Sequence, residues 1–487
     1  MPGPSLISIH HRLIRTWLIA CGGALLPSPS SAQQPPPPLE VVIAHGRVMD
    51  PESRLDAVRY VGIQGGRIRA ISDTALRAPA VLDATGMVVA PGFIDLHAHG
   101  QTPENYRLQV LDGVTSAFEL EVGTADVDQW YAQREGRAAI NYGVSVGHIP
   151  ARMAVMGDSG GLLPRGAGGT RPATEAQIAE MRQIIERGLQ RGAVAVGMGP
   201  TYTPAATQWE VLEVFRVAAR YGASVHAHVR GGADTMAGFQ EVIGASAITG
   251  APVHIVHLNS SSTAQTARTL QLVAEAQARH LDVTTECYPY TAGMTEIESA
   301  LFNGYESRPD SDFTKLQWVA TGERLTRQSF LRYRRQGGMV ILHNNTEDMV
   351  KLAVTSPLTM IASDGHIENG KGHPRTAGTY ARVLGRYVRE QGALGLMAAL
   401  SKMSLMPARR LEFRVPAMRD KGRIKVGAEA DIVVFDPNGI LDRSTYERPA
   451  EPSVGMKHVL VGGVPVVRDG RLDDTVKPGK AVRGIVR

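Results

Sequence analysis

The apolar residues of this chain recur with different periods in different places. Between residues 40 and 91, short runs rich in valine and isoleucine alternate with turn signals, in VVIAHGRVMD, YVGIQGGRIRAI and VLDATGMVVAPG. Runs of this length bounded by glycine, proline or aspartate predict strands, here a small antiparallel sheet. Residues 416–487 return to the same texture in KVGAEADIVVFD, KHVLVGGVPVVRDG and AVRGIV. Similar ends around a different middle predict one small β-sandwich assembled from 40–91 and 416–487.

In the middle, 92–415, apolar runs of strand length alternate with segments such as EAQIAEMRQIIERGLQR and WEVLEVFRVAARYG, whose apolar positions lie three and four apart. That is the alternation of successive βα units, and the fold class is α/β, a (β/α)₈ TIM-like barrel. Candidate barrel strands are FIDLH (93–97), VTSAFELE (114–121), GVSVGH (143–148), AVAVGM (193–198), ASVHAH (223–228), PVHIVH (252–257), DVTTEC (282–287) and TMIASD (359–364). MVILH (339–343) is one candidate too many, and 300–350 reads as an insertion able to hold an extra strand.

The first residues change the picture of where the protein works. Basic residues at His10, His11, Arg12 and Arg15 precede an apolar run, Thr16–Leu26, and then the small residues PSPSSA. This order predicts a secretory signal over 1–32, cleaved after Ala32, and hence export to the periplasm or medium. The apolar run is too short to span a bilayer. Pro35–Pro38 then form an extended spacer within 33–39. Of the two cysteines, Cys21 and Cys287, only the second survives that cleavage, so no intrachain disulfide is expected and the core alone must hold the fold. With a net charge of only +5 and no basic run interleaved with aromatics, a nucleic-acid partner is not indicated.

Chemistry gathers at the strand ends, where such barrels carry their functional groups. His97 and His99 lie two apart on the first strand and share a face, able to hold one ion between them. His228 and His257 close the fifth and sixth strands, while His226 and His254 face inward one layer lower. Asp364 ends the last strand, a position for an acid or base. No lysine precedes Lys315, so a carboxylate, not a carbamylated lysine, must bridge two metals. Glu119 and Glu121 share one strand face and either can do so; Glu121 is nearer the strand end.

With these residues in place, the chain resembles the D-aminoacylase (N-acyl-D-amino-acid deacylase) branch of the amidohydrolase superfamily from about residue 40 onward. The resemblance rests on GFIDLHAHG (92–100), VGHIPARMAVMG (146–157), ARYGASVHAHVR (219–230), PVHIVHL (252–258), ECYPYTAGMT (286–295), IASDG (361–365) and HPRTAGTYARVLGRYVRE (373–390). It implies hydrolysis of an amide in a small-molecule substrate, with His97, His99, His228 and His257 as metal ligands and Asp364 as the catalytic acid and base. It also implies zinc, held tightly at one site and with a second divalent ion held more weakly. Relatives often bridge the metals with a cysteine where this chain has ELEVG. Their carboxylate clamp pairs a lysine, a tyrosine, a small hydroxyl residue and an arginine. This chain keeps Tyr290 and Arg375 but has Asn259 and Met294 at the other positions. A weakened clamp leaves open another amidohydrolase activity, on a dipeptide, cyclic amide or lactone, and an inactive scaffold is the remaining alternative.

Overall fold

A computed structural model describes residues 38–231 and 235–486. The predicted signal segment and most of the proline-rich spacer lie outside the described residues. Eight parallel strands follow one another in sequence order around a barrel: β1 (Phe93–Asp95), β2 (Val114–Thr124), β3 (Asn141–Gly147), β4 (Val196–Met198), β5 (Val225–Ala227), β6 (Val253–Ile255), β7 (Val283–Cys287) and β8 (Thr359–Ile361). Just past the strand ends Ala98 bridges Gly365 in parallel, and the Asp364 N–H donates to the His97 carbonyl at 2.7 Å, so β1 meets β8 at the mouth and the barrel all but closes.

Local sequence accounts for the intervening helices. Thr174 caps Glu175–Gln190 through a capping box with Gln177, and Thr207 caps Gln208–Arg220 by accepting from the Glu210 N–H. Their apolar stripes, Ile178, Met181, Ile185 and Leu189 on one and Val211, Val214, Phe215 and Val217 on the other, are buried; many of these side chains join the barrel's main core with Val144, Val146, Val196 and Val225.

The chain ends build one nine-stranded sheet, Val41–Asp50 to Val88–Pro91 from the first part and Ile432–Phe435 to Arg471–Leu472 from the second. Alternation sorts its two faces: Val89, Ile432 and Val434 join a core with Ile43 and Val61, whereas Val88, Ala90, Val433 and Phe435 pack into the barrel's cluster. The sheet is mixed rather than antiparallel, because Val41 pairs in parallel with Ala80 and Arg47 with Val88. In that stretch the chain crosses over instead of turning back. The last apolar run, 481–486, also departs from expectation: it leaves the sheet, and Ala481 bridges Tyr142 of β3.

The surplus strand candidate is resolved by the insertion after β7. Met339–Leu342 pairs antiparallel with Gly293–Glu296 and Leu316–Trp318 in a three-stranded sheet of its own. This small module carries its own core, with Phe302, Phe313, Leu316, Trp318, Phe330 and Val340 all buried, and it stands over the barrel mouth.

Candidate metal centre and active-site cavity

The strand ends converge as the parity of each strand requires. His97 and His99 follow β1, Glu119 and Glu121 occupy one face of β2, and His228, His257 and Asp364 follow β5, β6 and β8. His257 (φ 33°) and Asp364 (φ 52°) both sit in the left-handed region, where a side chain is strained. Strain of this kind, of order 1–3 kcal/mol, persists where surrounding structure overrides it, commonly at working sites. For Asp364 the restraint is visible in its backbone bond to His97.

Glu121 occupies the centre. Its Oε2 lies 3.0 Å from His97 Nε2 and 3.1 Å from His99 Nε2. Its Oε1 lies 2.6 Å from His228 Nδ1 and 3.7 Å from His257 Nε2. Asp364 Oδ1 completes the first side at 3.4 Å from His97 and 3.2 Å from His99. Two ligand groups result, His97, His99, Glu121 and Asp364 on one hand and Glu121, His228 and His257 on the other, with ligand atoms within 4.8 Å of one another in each. Glu119 stands behind: it meets His99 Nδ1 at 2.7 Å and accepts the Val122 and Gly123 N–H groups. Of the two glutamates, Glu121 is the one shared between the groups.

Imidazole and carboxylate in these numbers form a donor set suited to zinc. The imidazoles are also aimed for it. Glu286 Oε1 meets His97 Nδ1 at 2.6 Å and Ser261 Oγ lies 3.1 Å from His257 Nδ1, so that with Glu119 behind His99 each of these rings turns Nε2 inward. Glu286 also reaches His254 at 3.0 Å in the layer below, where His226 meets Ser224 at 3.2 Å.

The electrostatics differ across the centre. Burial lowers the pKa values of His97 and His99, but surrounding carboxylates, Asp364 and Glu286 for the one and Glu119 for the other, raise both well above the usual imidazole range. His228 shifts down, through burial and then the neighbouring His257. Burial opposes ionisation of Asp364 and Glu121, yet Arg375 beside Asp364 and His228 beside Glu121 hold both carboxyls well below their ordinary range. The Arg375 guanidinium is 2.8 Å from Asp364 Oδ2 and stacks over Tyr288 at 4.6 Å.

A cavity of about 390 Å³ opens over this centre, lined by His99, Glu121, His228, His257, Asp364 and Arg375 and roofed by the insertion. Two residues expected at it are not there. Tyr290 directs its hydroxyl to Asp442 at 3.4 Å beneath the Arg382 guanidinium, and Tyr288, the first residue past β7, lines the cavity in its place. Asn259 is fully buried and donates to the Tyr288 carbonyl at 3.3 Å. The reason is local: a short helix, Leu258–Ser262, begins at His257, and its rotation turns Asn259 into the core and Ser260 toward the cavity. Met294 does line the cavity, as do Tyr202 and His366, which the strand-end reading passed over. Glu286 was discoverable from its place on β7, where it shares the inward face with Thr284.

Comparison with known proteins gives a consistent picture. The amidohydrolase family model matches residues 88–466. The chain is 31% identical to an N-acyl-D-glutamate deacylase of Alcaligenes xylosoxydans xylosoxydans, covering 91% of this chain and 96% of the relative. It is 30% identical to a D-aminoacylase of the same organism, covering 88% and 94%. The crystal structure of an N-acyl-D-glutamate deacylase from Bordetella bronchiseptica, complexed with zinc and a phosphonate mimic of the tetrahedral intermediate, superposes with a TM-score of 0.79 at 27% identity, covering 92% of this chain and all of that one.

Proposed function

The chain belongs to the amidohydrolase family, in its D-aminoacylase branch, and from that premise we propose that it is a zinc-dependent deacylase of N-acyl-D-amino acids, acting outside the cytoplasm. The observation that carries the reading is Glu121, whose two oxygens serve two imidazole groups while Asp364 and Arg375 stand at their edge. His97, His99, Glu121, His228 and His257 are the residues that would hold metal. Zinc bound there supplies Lewis acidity toward the amide carbonyl and lowers the pKa of water.

The chain's own groups do the rest. Asp364, kept ionised by Arg375, is the base that takes a proton from the attacking water and returns it to the leaving nitrogen. Its left-handed backbone and its bond to the His97 carbonyl fix that carboxylate beside the imidazoles. Arg375 is only 1% exposed, with Nη1 paired to Asp364 and Nε left without a hydrogen-bond partner, and the buried Tyr288 hydroxyl lies beside it at the cavity wall. Buried donors in that state favour a substrate carboxylate. The insertion narrows the mouth with Leu301, Leu316, Met339 and Leu342, and reduced access of water there strengthens each of these interactions.

A screen of N-acetyl D- and L-amino acids, dipeptides and cyclic amides, run on zinc-loaded protein with metal analysis, tests the reading. Turnover of the D-series above the others is expected. Cleavage confined to neutral cyclic amides would replace this reading with the second one, which Met294 and the buried Asn259 favour by leaving the clamp one cation short. Export rests on the basic start, apolar run and PSPSSA boundary of 1–32. The mature protein is expected to begin at Gln33, and recovery of the whole chain from the cytoplasm with Met1 intact overturns that point.

A further inference from the structure

The cavity has two unlike walls on opposite sides of the metal-ligand groups. In a closed barrel of eight strands in sequence order, β2–β4 lie across the axis from β6–β8. On the β6–β8 side the wall is polar: Ser260, Tyr288 and Arg375. The β2–β4 side presents Val122, Leu163 and Tyr202, packed as one apolar cluster with Leu301 of the insertion against it. That cluster begins at the reaction centre itself, since the Tyr202 ring stands edge-on to His228 with centroids 4.8 Å apart.

This apolar wall is a built feature rather than an open groove. Arg165, in the loop that carries Leu163, pairs with Glu298 of the insertion, and Glu298 also accepts the Gly338 N–H at 2.9 Å. The Thr295 hydroxyl donates to Tyr202 Oη at 3.4 Å. Across the roof the insertion adds Leu316, Met339 and Leu342, interspersed with Glu296, Arg308, Asp312 and Lys315. A pocket of about 390 Å³ falls in the range that encloses drug-sized ligands, well beyond an acetyl group.

We propose that the wall formed by Val122, Leu163, Tyr202 and Leu301 is the acyl subsite, and that the enzyme's substrates carry an elongated apolar acyl chain rather than acetyl. The inference rests on the deacylase reading. If Arg375 and Tyr288 take the carboxylate of the amino-acid half, the carbonyl sits over Glu121, and the acyl group on its far side faces the β2–β4 wall, the side on which Val122, Leu163, Tyr202 and Leu301 pack together. Each methylene buried there raises kcat/KM by roughly three- to fourfold until the wall is filled.

The test is a chain-length series on the zinc-loaded enzyme: N-acetyl-, N-butanoyl-, N-hexanoyl- and N-octanoyl-D-leucine. A rise in kcat/KM of at least a hundredfold from acetyl to the best acyl group is expected, expressed mainly in KM. In Leu301→Asn and, as an independent variant, Leu163→Asn, the slope of log kcat/KM against carbon number should flatten. Circular dichroism and zinc content identify a variant that has failed to fold, and the wild-type series stands without it. Equal or falling rates from acetyl upward overturn the subsite alone. Absence of hydrolysis at every chain length overturns the deacylase reading and the subsite with it.

Discussion

In the group made by His97, His99, Glu121 and Asp364, each imidazole is backed by a carboxylate, His97 by Glu286 at 2.6 Å and His99 by Glu119 at 2.7 Å. In the group made by Glu121, His228 and His257, the support is neutral: His257 leans on the Ser261 hydroxyl at 3.1 Å, and His228 turns its Nδ1 to Glu121 itself at 2.6 Å. The first group therefore lies in the field of four carboxylates and the second chiefly in that of one. Anionic support orients imidazoles and makes them better donors, so the expected outcome is a firmer hold on a cation in the first group, which chelator competition checks. Yet it contains Asp364, the proposed proton carrier, and a cation bound there restrains the carboxylate that has to move a proton. The difference teaches that the carboxylates gathered on the His97 and His99 side serve two ends at once, support of a cation and placement of the proposed proton carrier.

Glu121→Ala breaks the comparison outright and has the largest expected effect. Removing the shared ligand should empty both groups in metal analysis, with turnover falling by more than the 10²–10⁴-fold that loss of a general acid–base group alone produces. Retention of metal at the level of the parent protein would show that Glu121 is not the bridge. Asp364→Asn should sharpen it instead: turnover drops by roughly 10²–10⁴-fold, while metal on the His228 and His257 side stays in place. If that variant loses all its metal, Asp364 is a ligand first and a proton carrier second.

Arg375→Ala comes next in size. For a substrate bearing a carboxylate, the loss in kcat/KM should be about 2–4 kcal/mol, the cost of truncating one partner of a desolvated charge pair. A neutral amide analogue should lose less but not nothing, because Asp364 is left buried without the guanidinium 2.8 Å away. Equal losses on both substrates assign Arg375 wholly to Asp364, and the substrate carboxylate then has to be sought elsewhere.

Much of this centre was legible in the chain because strand parity is rigid. Residues two apart on β2 must share a face, and a histidine closing a strand must reach the mouth, so His97, His99, Glu119, Glu121, His228, His257 and Asp364 could be brought together from spacing alone. Parity gives out where strands end. Asn259 lies in the first turn of a short helix and Tyr290 in a turn, and in both places the side-chain direction depends on backbone rotation that an apolar pattern does not carry. The choice between Glu119 and Glu121 was of another kind: both face inward, and only the ring positions of His99 and His228 decide which carboxylate stands between the groups. The parallel pairings of Val41–Asp50 were hidden for a similar reason, since a strand's pattern records its buried face and not the direction of its neighbour.

The smallest expected effects separate the supports themselves. Glu119→Gln and Glu286→Gln both keep a hydrogen-bonding oxygen behind the imidazole while removing its charge, so neither ring loses its orientation outright. Loss of such an outer partner typically costs 10–100-fold in metal affinity or activity. Both variants act on the His97 and His99 side, so competition with a chelator should show one class of zinc released earlier, with the His228 and His257 class unchanged. Glu286→Gln should cost more than Glu119→Gln, because Glu286 holds His97 and His254 together at 2.6 and 3.0 Å and is itself fully buried, whereas Glu119 also has the Val122 and Gly123 N–H groups to anchor it. Should either variant weaken both classes of zinc equally, the two groups act as one unit through Glu121, and the contrast drawn between their supports does not govern metal retention.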